Sequence, residues 1–282
     1  MNTATGIRYD MHTHSQNSHD SQCPVLDMAK QMKAKGLSGF AVTDHCDIGY
    51  SQEIDVFQSA KNSYNEALEA ANETDLTVLK GIEIGESFWF PETSKKILQS
   101  FSFDVIIGSV HAVKFDGYEM PYSQIDFGKM DKKTIYSYLD QYFDDMLFMA
   151  DNLDLDILAH LTCPLRYING KYGMGVSAHE YSQKIEMILE KIIKKNIALE
   201  VNTSCVYPGS RYSEFMPEKH IIEKYKSMGG YLITAASDAH IAQNAANSFD
   251  ALCTMLKELG FDTAYFYKDR HAVPYKLNID AK

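Results

Sequence analysis

Short apolar runs rich in β-branched residues, each ending in polar side chains, alternate along this chain with longer stretches whose apolar positions recur every three or four residues. These are the periods of strands and amphipathic helices. The run GIRYDMH is followed by a helix over CPVLDMAKQMKAKG, with Pro24 at an early position and Gly36 ending it. SGFAVTDH reads as a strand, FQSAKNSYNEALEAANE as a helix and LTVLKGIEIG as a strand again. A helix over ETSKKILQSF leads to the strand FDVIIGSVH, after which a polar insertion, roughly residues 114 to 133, reads as a loop. KTIYSYLDQYFDDMLFMADNL is a long amphipathic helix, LDILAHL a strand, and SAHEYSQKIEMILEKIIKKN a helix opened by a capping box of Ser177 and Glu180. Then come the strand IALEVNTS, the helix PEKHIIEKYKSMGG with Pro217 first and glycines last, and the strand YLITAASDAH. The helix NSFDALCTMLKELG precedes a strand-like DTAYFY tail.

Strand is thus followed by helix seven times, with no linker rich in Pro, Gly or Ser and no sequence repeat. Such alternation predicts a parallel sheet covered by helices, and seven units without a mid-chain reversal favour closure. The expected fold class is α/β, a distorted (β/α)7 TIM-like barrel forming one domain over residues 1–282, with its site at the C-terminal ends of the strands. An open doubly wound sheet is the alternative. The first strand is not followed by a glycine-rich phosphate loop, which weakens a nucleotide-binding version of it.

Composition narrows the class. With 45% hydrophobic residues in 282, the chain can bury a sizeable core, and 27 Lys and Arg against 38 Asp and Glu leave a formal charge of −11. That balance repels a phosphate backbone, so no nucleic-acid partner is expected. The five cysteines, Cys23, Cys46, Cys163, Cys205 and Cys253, are odd in number and scattered without a CxxC pair, as expected of reduced thiols in a cytoplasmic protein. The N-terminus lacks a basic segment followed by an apolar run, and no stretch approaches the ~18 apolar residues of a membrane span, so no membrane partner is expected.

The placement of the polar residues is more informative than their number. The strands end in DMHTH, TDH, GIEIGE, GSVH, AHL, EVNTS and SDAH. In a parallel barrel these ends share one rim, so His12, His14, His45, Glu83, His111, His160, Asp238 and His240 would converge. Residues two apart in a strand share a face, which suits the pairs His12 with His14 and Asp238 with His240. Six imidazoles and two or three carboxylates suit Zn, Mn or Fe and exceed what one ion of four to six coordination needs, so two or three ions are expected. Asp20 and His19 compete for a ninth ligand position shortly after His14.

This ordered set, DxHxHS with a following SxDS, then TDH, GIE, GSVH, a His before a loop with RY, EVNTS and SDAH, resembles the polymerase and histidinol phosphatase family of metal-dependent phosphoesterases. The resemblance runs from Asp10 to about Gly260 and is strongest to the histidinol-phosphate phosphatase branch, whose members are (β/α)7 barrels with a trinuclear metal centre. It implies three divalent ions, Zn, Mn or Fe, and hydrolysis of a small-molecule phosphate ester, L-histidinol phosphate above others, by attack of a metal-bridging hydroxide. By motif position, His12, His14, Glu83 and Asp238 would hold one ion, His45, His240 and Asp20 a second, and His111 and His160 a third that Glu83 bridges. Some branches of the family have His where Asp20 stands, with His19 beside it.

The chemistry fits the residues. Three divalent ions bring six positive charges and Asp20, Glu83 and Asp238 remove three, so the rim of an acidic protein would attract a phosphate dianion. Closely spaced ions acidify water towards a pKa of roughly 7 and polarise phosphoryl oxygens. Asp238 and Arg166 are the catalytic candidates, Arg166 in CPLRYINGKYG because a planar guanidinium binds two phosphate oxygens at once. An amidohydrolase would leave TDH, Glu83 and GSVH unexplained and lacks its bridging lysine here. A proofreading nuclease fits the negative charge poorly, and a structural metal site would be closed by four ligands per ion. His179, His220 and His271 are read as non-functional, the acidic run DNLDLD as a solvated corner, SFWF as core packing or a covering loop, and the thirteen methionines as core filler.

Overall fold

The computed structural model describes residues 6–48 and 55–277. Its strands are β1 (Tyr9–Asp10), β2 (Gly39–Val42), β3 (His45–Asp47), β4 (Thr77–Gly85), β5 (Val105–Ser109), β6 (Ile157–Leu158), β7 (Ala198–Asn202), β8 (Ile233–Ala236), β9 (Thr263–Lys268) and β10 (His271–Lys276). The main helices are α1 (Val25–Ala34), α2 (Val56–Glu73), α3 (Pro91–Ser100), α4 (Lys132–Asn152), a single turn α5 (Cys163–Leu165), α6 (Ser182–Lys195), α7 (Lys219–Ser227) and α8 (Phe249–Glu258).

The strands pair in parallel in the order β1-β2-β4-β5-β6-β7-β8, and β3 prolongs the line of β2 along β4 with His45 opposite Glu83. The chain beyond β1 returns to the chain around β8: Met11 donates its N–H to Ala235 O at 2.9 Å, and Thr13 bridges Ala239 in parallel. Counting β2 and β3 as one interrupted stave, the barrel has seven, as the alternation of elements predicts.

Two apolar layers hold it. Inside, Met11, Ala41, Leu79, Val105, Ile107, Ile157, Ala159, Ala198 and Leu232 pack with Tyr267, and outside, residues such as Phe40, Ile82, Ile106, Leu199 and Ile233 meet the helices. Alternation along each strand sorts them: Val105 and Ile107 face in while Ile106 faces out, and Ala198 faces in while Leu199 and Val201 face out. Each of the Val, Leu, Ile, Phe and Met side chains among them, removed from water, contributes about 1.5–3 kcal/mol. The tail is a hairpin, not a lone strand: β9 and β10 pair antiparallel, Tyr267 fills the barrel floor and Phe266 stacks on Tyr9 at 3.9 Å.

Several local expectations shift. The Ser177 side chain accepts from His179 N, and a 3-10 turn over Ala178–Tyr181 precedes α6, so the Ser177 and Glu180 capping box does not form. Helix α7 starts at Lys219, leaving Pro217 outside it. In the acidic run 151–156, Asp156 is buried, accepts from Ile106 N at 2.8 Å and pairs with Arg270, so it anchors structure instead of facing water. The 114–133 insertion is a loop up to a 3-10 turn over Phe127–Lys129 and the start of α4, and its Tyr122, Ile125 and Phe127 are buried in the main core. Phe88 packs on Phe148 at 5.3 Å, which makes SFWF a cover on the outside of the barrel. None of the described helices is long and apolar enough to cross a membrane.

Candidate metal centre

The inward alternation that places Leu79 in the barrel floor carries on through Gly81 to Glu83, which is fully buried at the rim. Five imidazoles surround this one carboxylate. Its Oε1 lies 3.2 Å from His111 Nε2 and 3.0 Å from His160 Nε2; its Oε2 lies 2.8 Å from His45 Nδ1, 3.3 Å from His12 Nε2 and 3.6 Å from His14 Nε2. Asp238 Oδ1 stands 3.2 Å from His14 Nε2 and 4.0 Å from His12 Nε2. Asp20 Oδ2 sits between His240 Nε2 at 3.1 Å and His45 Nε2 at 3.5 Å. His19 stands beside it, its ring 5.0 Å from that of His45. All nine residues singled out at strand ends and in the following loop therefore meet at one rim, and Arg166 lines the same cleft with Tyr122 and Tyr167.

Backbone geometry aims some of them. Regular alternation after Ile157 and Ala159 would turn His160 toward the helices; its φ of 21° breaks the alternation and brings its ring to Glu83. Asp238, at the end of β8, has φ 51°, and Glu86, just past β4, has φ 34°. Left-handed non-glycine residues at three strand ends are costly conformations of the kind that concentrate at functional sites.

The proton arrangement asks for cations. The Ser18 hydroxyl proton goes to Asp44 Oδ1 at 2.9 Å, so its oxygen accepts from His14 Nδ1 at 3.0 Å, and His12 Nδ1 faces Glu200 Oε2 at 2.7 Å. With both Nδ1 atoms donating, Nε2 of His12 and Nε2 of His14 are left facing each other across 3.1 Å, each the nitrogen through which a neutral imidazole would ligate. Beside them Glu83 Oε2 is buried and makes no well-aligned hydrogen bond, although His45 Nδ1 stands 2.8 Å away. Imidazole nitrogens and a carboxylate oxygen converging in a dry space need positive charge among them, and this donor set of His and carboxylate fits bound divalent ions. Three ligand atoms lie within 4.8 Å of one another in the groups His12–His14–Asp238, His14–His45–His240 and His12–Glu83–His160.

Burial lowers His12, His45 and His111, but the charges of Glu200, Glu83 and Asp47 overcome it and raise all three well above the ordinary imidazole range, so in the metal-free cluster protons supply the positive charge that bound ions would replace. Burial together with the imidazoles of His240 and His45 pushes His14 down to about 3, so it offers a lone pair at neutral pH. Burial raises Glu83, but the imidazoles of His12, His111 and His45 overcome it and hold the carboxyl well below its ordinary range. Burial acts likewise on Asp238, and the neighbouring imidazoles of His14, His12 and His240 outweigh it.

Three carboxylates in this neighbourhood were not singled out from the sequence. Asp47 accepts from His111 Nδ1 at 3.1 Å and groups with His45 and His111. It lies two residues after His45 in β3, so the same two-residue rule that paired His12 with His14 could have found it. A side chain on Gly85 would overlap its carboxylate, which explains the glycine in GIEIGE. Glu86 is buried, and its Oε1 accepts the N–H groups of His111 and Ala112. Glu200 is on the inner face of β7, two residues after inward Ala198. His179 and His220 stack on each other at 4.0 Å in a separate cleft, and His271 is exposed on the hairpin.

Barrel and rim together define a (β/α)7 protein that gathers nine potential metal ligands in one cleft. The family model of the PHP domain matches residues 10–204, and the chain belongs to that family. Among its relatives, a probable histidinol-phosphatase of Clostridium acetobutylicum is 27% identical over 268 residues, 92% of this chain and 97% of that one. A histidinol-phosphatase of Lactococcus lactis is 26% identical over 90% of this chain and 92% of its own. The crystal structure of histidinol phosphate phosphatase from Lactococcus lactis, complexed with zinc, L-histidinol and phosphate, superposes with a TM-score of 0.76 at 22% identity, covering 94% of this chain and 98% of that one.

Proposed function

We propose that this chain is a metal-dependent phosphomonoesterase whose substrate is L-histidinol phosphate, and that residues 1–282 work as one PHP-type barrel. The observation that carries the reading is Glu83, a buried carboxylate ringed by five imidazoles beside a cleft that Arg166 also lines. The near full-length relatives named histidinol-phosphatase support the substrate. His12, His14, Glu83 and Asp238 would hold one ion, His45, His240 and Asp20 a second, and His111, His160 and Glu83 a third. Bound there, divalent ions supply Lewis acidity and an acidified water. The chain's own part is to fix those ligands and to present the Arg166 guanidinium to phosphate in a cleft that Tyr122 and Tyr167 wall.

Phosphate release from L-histidinol phosphate, set beside nucleotides, sugar phosphates and an aryl phosphate, tests the reading. It stands if histidinol phosphate exceeds the others by about 100-fold or more in kcat/KM, and it falls if another ester is the better substrate. For Arg166→Ala, loss of a charge-assisted contact of about 1.5–3 kcal/mol is expected to raise KM some 10- to 100-fold. Unchanged KM and kcat in that variant would remove Arg166 from the site.

A further inference from the structure

One buried carboxylate touches the ligands of more than one ion without facing any ion itself. Glu200 is fully buried on β7. Its Oε2 lies 2.7 Å from His12 Nδ1, while its Oε1 accepts the backbone N–H of His160 at 3.1 Å and the Asn202 side-chain amide at 3.0 Å. The same Asn202 nitrogen reaches Asp238 Oδ2 at 3.2 Å. We infer that Glu200 is the positioning residue that assembles the metal centre: it keeps the His12 proton on Nδ1, and it holds the left-handed backbone of His160. This inference rests on reading the cluster as a metal centre.

The physical reason lies in the imidazole. A histidine ligates through the nitrogen that carries no proton, and the partner of the other nitrogen decides which one that is. With Glu200 accepting at Nδ1, the His12 Nε2 lone pair faces Glu83 and Asp238. At His160, φ 21° is held only if the surroundings pay for it, and the Glu200 oxygen supplies an acceptor for that N–H in a place without water. One side chain thereby serves a ligand of the first ion directly, another of the third through its backbone, and Asp238 through Asn202.

Glu200→Gln isolates the effect because it keeps the volume and loses an acceptor. If the amide NH2 faces His12, Nδ1 must accept and the proton moves to Nε2, which then cannot ligate. If it faces His160, a donor meets the backbone N–H and the Asn202 amide. Either orientation disables one ligand position, whereas a merely space-filling Glu200 would tolerate glutamine. Zinc affinity, measured by competition with a chromophoric chelator, is expected to fall about 10- to 100-fold in Glu200→Gln, with the unfolding midpoint of the chelated protein close to that of the wild type. Unchanged zinc affinity, or a chelated protein destabilised as much as the zinc-loaded one, would overturn the role. Long-range 15N–1H spectra of the zinc-loaded wild type, which do not depend on how the variant folds, are expected to show His12 protonated on Nδ1 alone; a proton on Nε2 there would overturn it equally. A wild type that binds no zinc would instead sink the metal-centre reading itself.

Discussion

Asp238→Ala is expected to abolish phosphate release, with kcat/KM down about 1,000-fold or more, equivalent to roughly 4 kcal/mol of transition-state stabilisation. Asp238 Oδ1 is the carboxylate oxygen nearest His14 Nε2, at 3.2 Å, and Oδ2 accepts from Asn202. Its truncation leaves the facing Nε2 atoms of His12 and His14 with Glu83 alone as the carboxylate with which to hold a cation. Because residue 238 has φ 51°, alanine there adds about 1 kcal/mol of backbone strain. Asp238→Asn is therefore the necessary companion, since asparagine tolerates that conformation and keeps the shape while losing the charge. Both variants are expected to retain less metal by elemental analysis after dialysis and to keep the wild-type far-UV circular dichroism spectrum. Full activity with full metal content in either would refute the ligand set.

Much of this site was readable in the sequence because a parallel barrel turns a one-dimensional regularity into a place. Seven strands ending in a His, a carboxylate or a small polar cluster need no distance information to be brought together; the closure of β1 against β8 does it, joining His12 and His14 to Asp238 and His240 across more than two hundred residues. The carboxylates that serve the imidazoles were harder. Glu200 sits inside EVN, where only the inward direction of Ala198 reveals that it faces the barrel axis. Glu86 looks like a loop residue able to meet solvent, and only its left-handed backbone turns it inward. The 114–133 insertion carries no period at all, yet it places Tyr122 over His111, its N–H bonded to His111 O at 2.9 Å and the two rings 6.1 Å apart. Arg166 was identified by residue type, but its position depends on a π-helical turn over Arg166–Lys171 after α5, which no apolar spacing announces.

Stability should respond to pH through Glu86. Burial, aggravated by the charge of Asp47, pushes its carboxyl up to about 8 in the metal-free protein, against an ordinary 4.5, although the charge of His111 and the amides of Ala112 and His111 pull the other way. A folded-state value raised above the unfolded one means that the folded protein holds the proton longer. The neutral acid is therefore fully tolerated below pH 4.5, and stability is lost as pH rises from there through about 8. At 1.36 kcal/mol per pH unit this is a loss on the order of 5 kcal/mol by pH 8 to 9. Glutamine has no proton to lose and retains an oxygen for the N–H groups of His111 and Ala112. Urea unfolding of chelated wild type and Glu86→Gln is expected to give similar free energies near pH 4.5 and a gap that opens by several kcal/mol in favour of the variant by pH 8.5. The difference between the two proteins isolates Glu86 from the histidines and carboxylates that titrate in both. Curves that stay parallel across that range would show that Glu86 is ionised in the fold, its charge borne by the two amides and His111 alone.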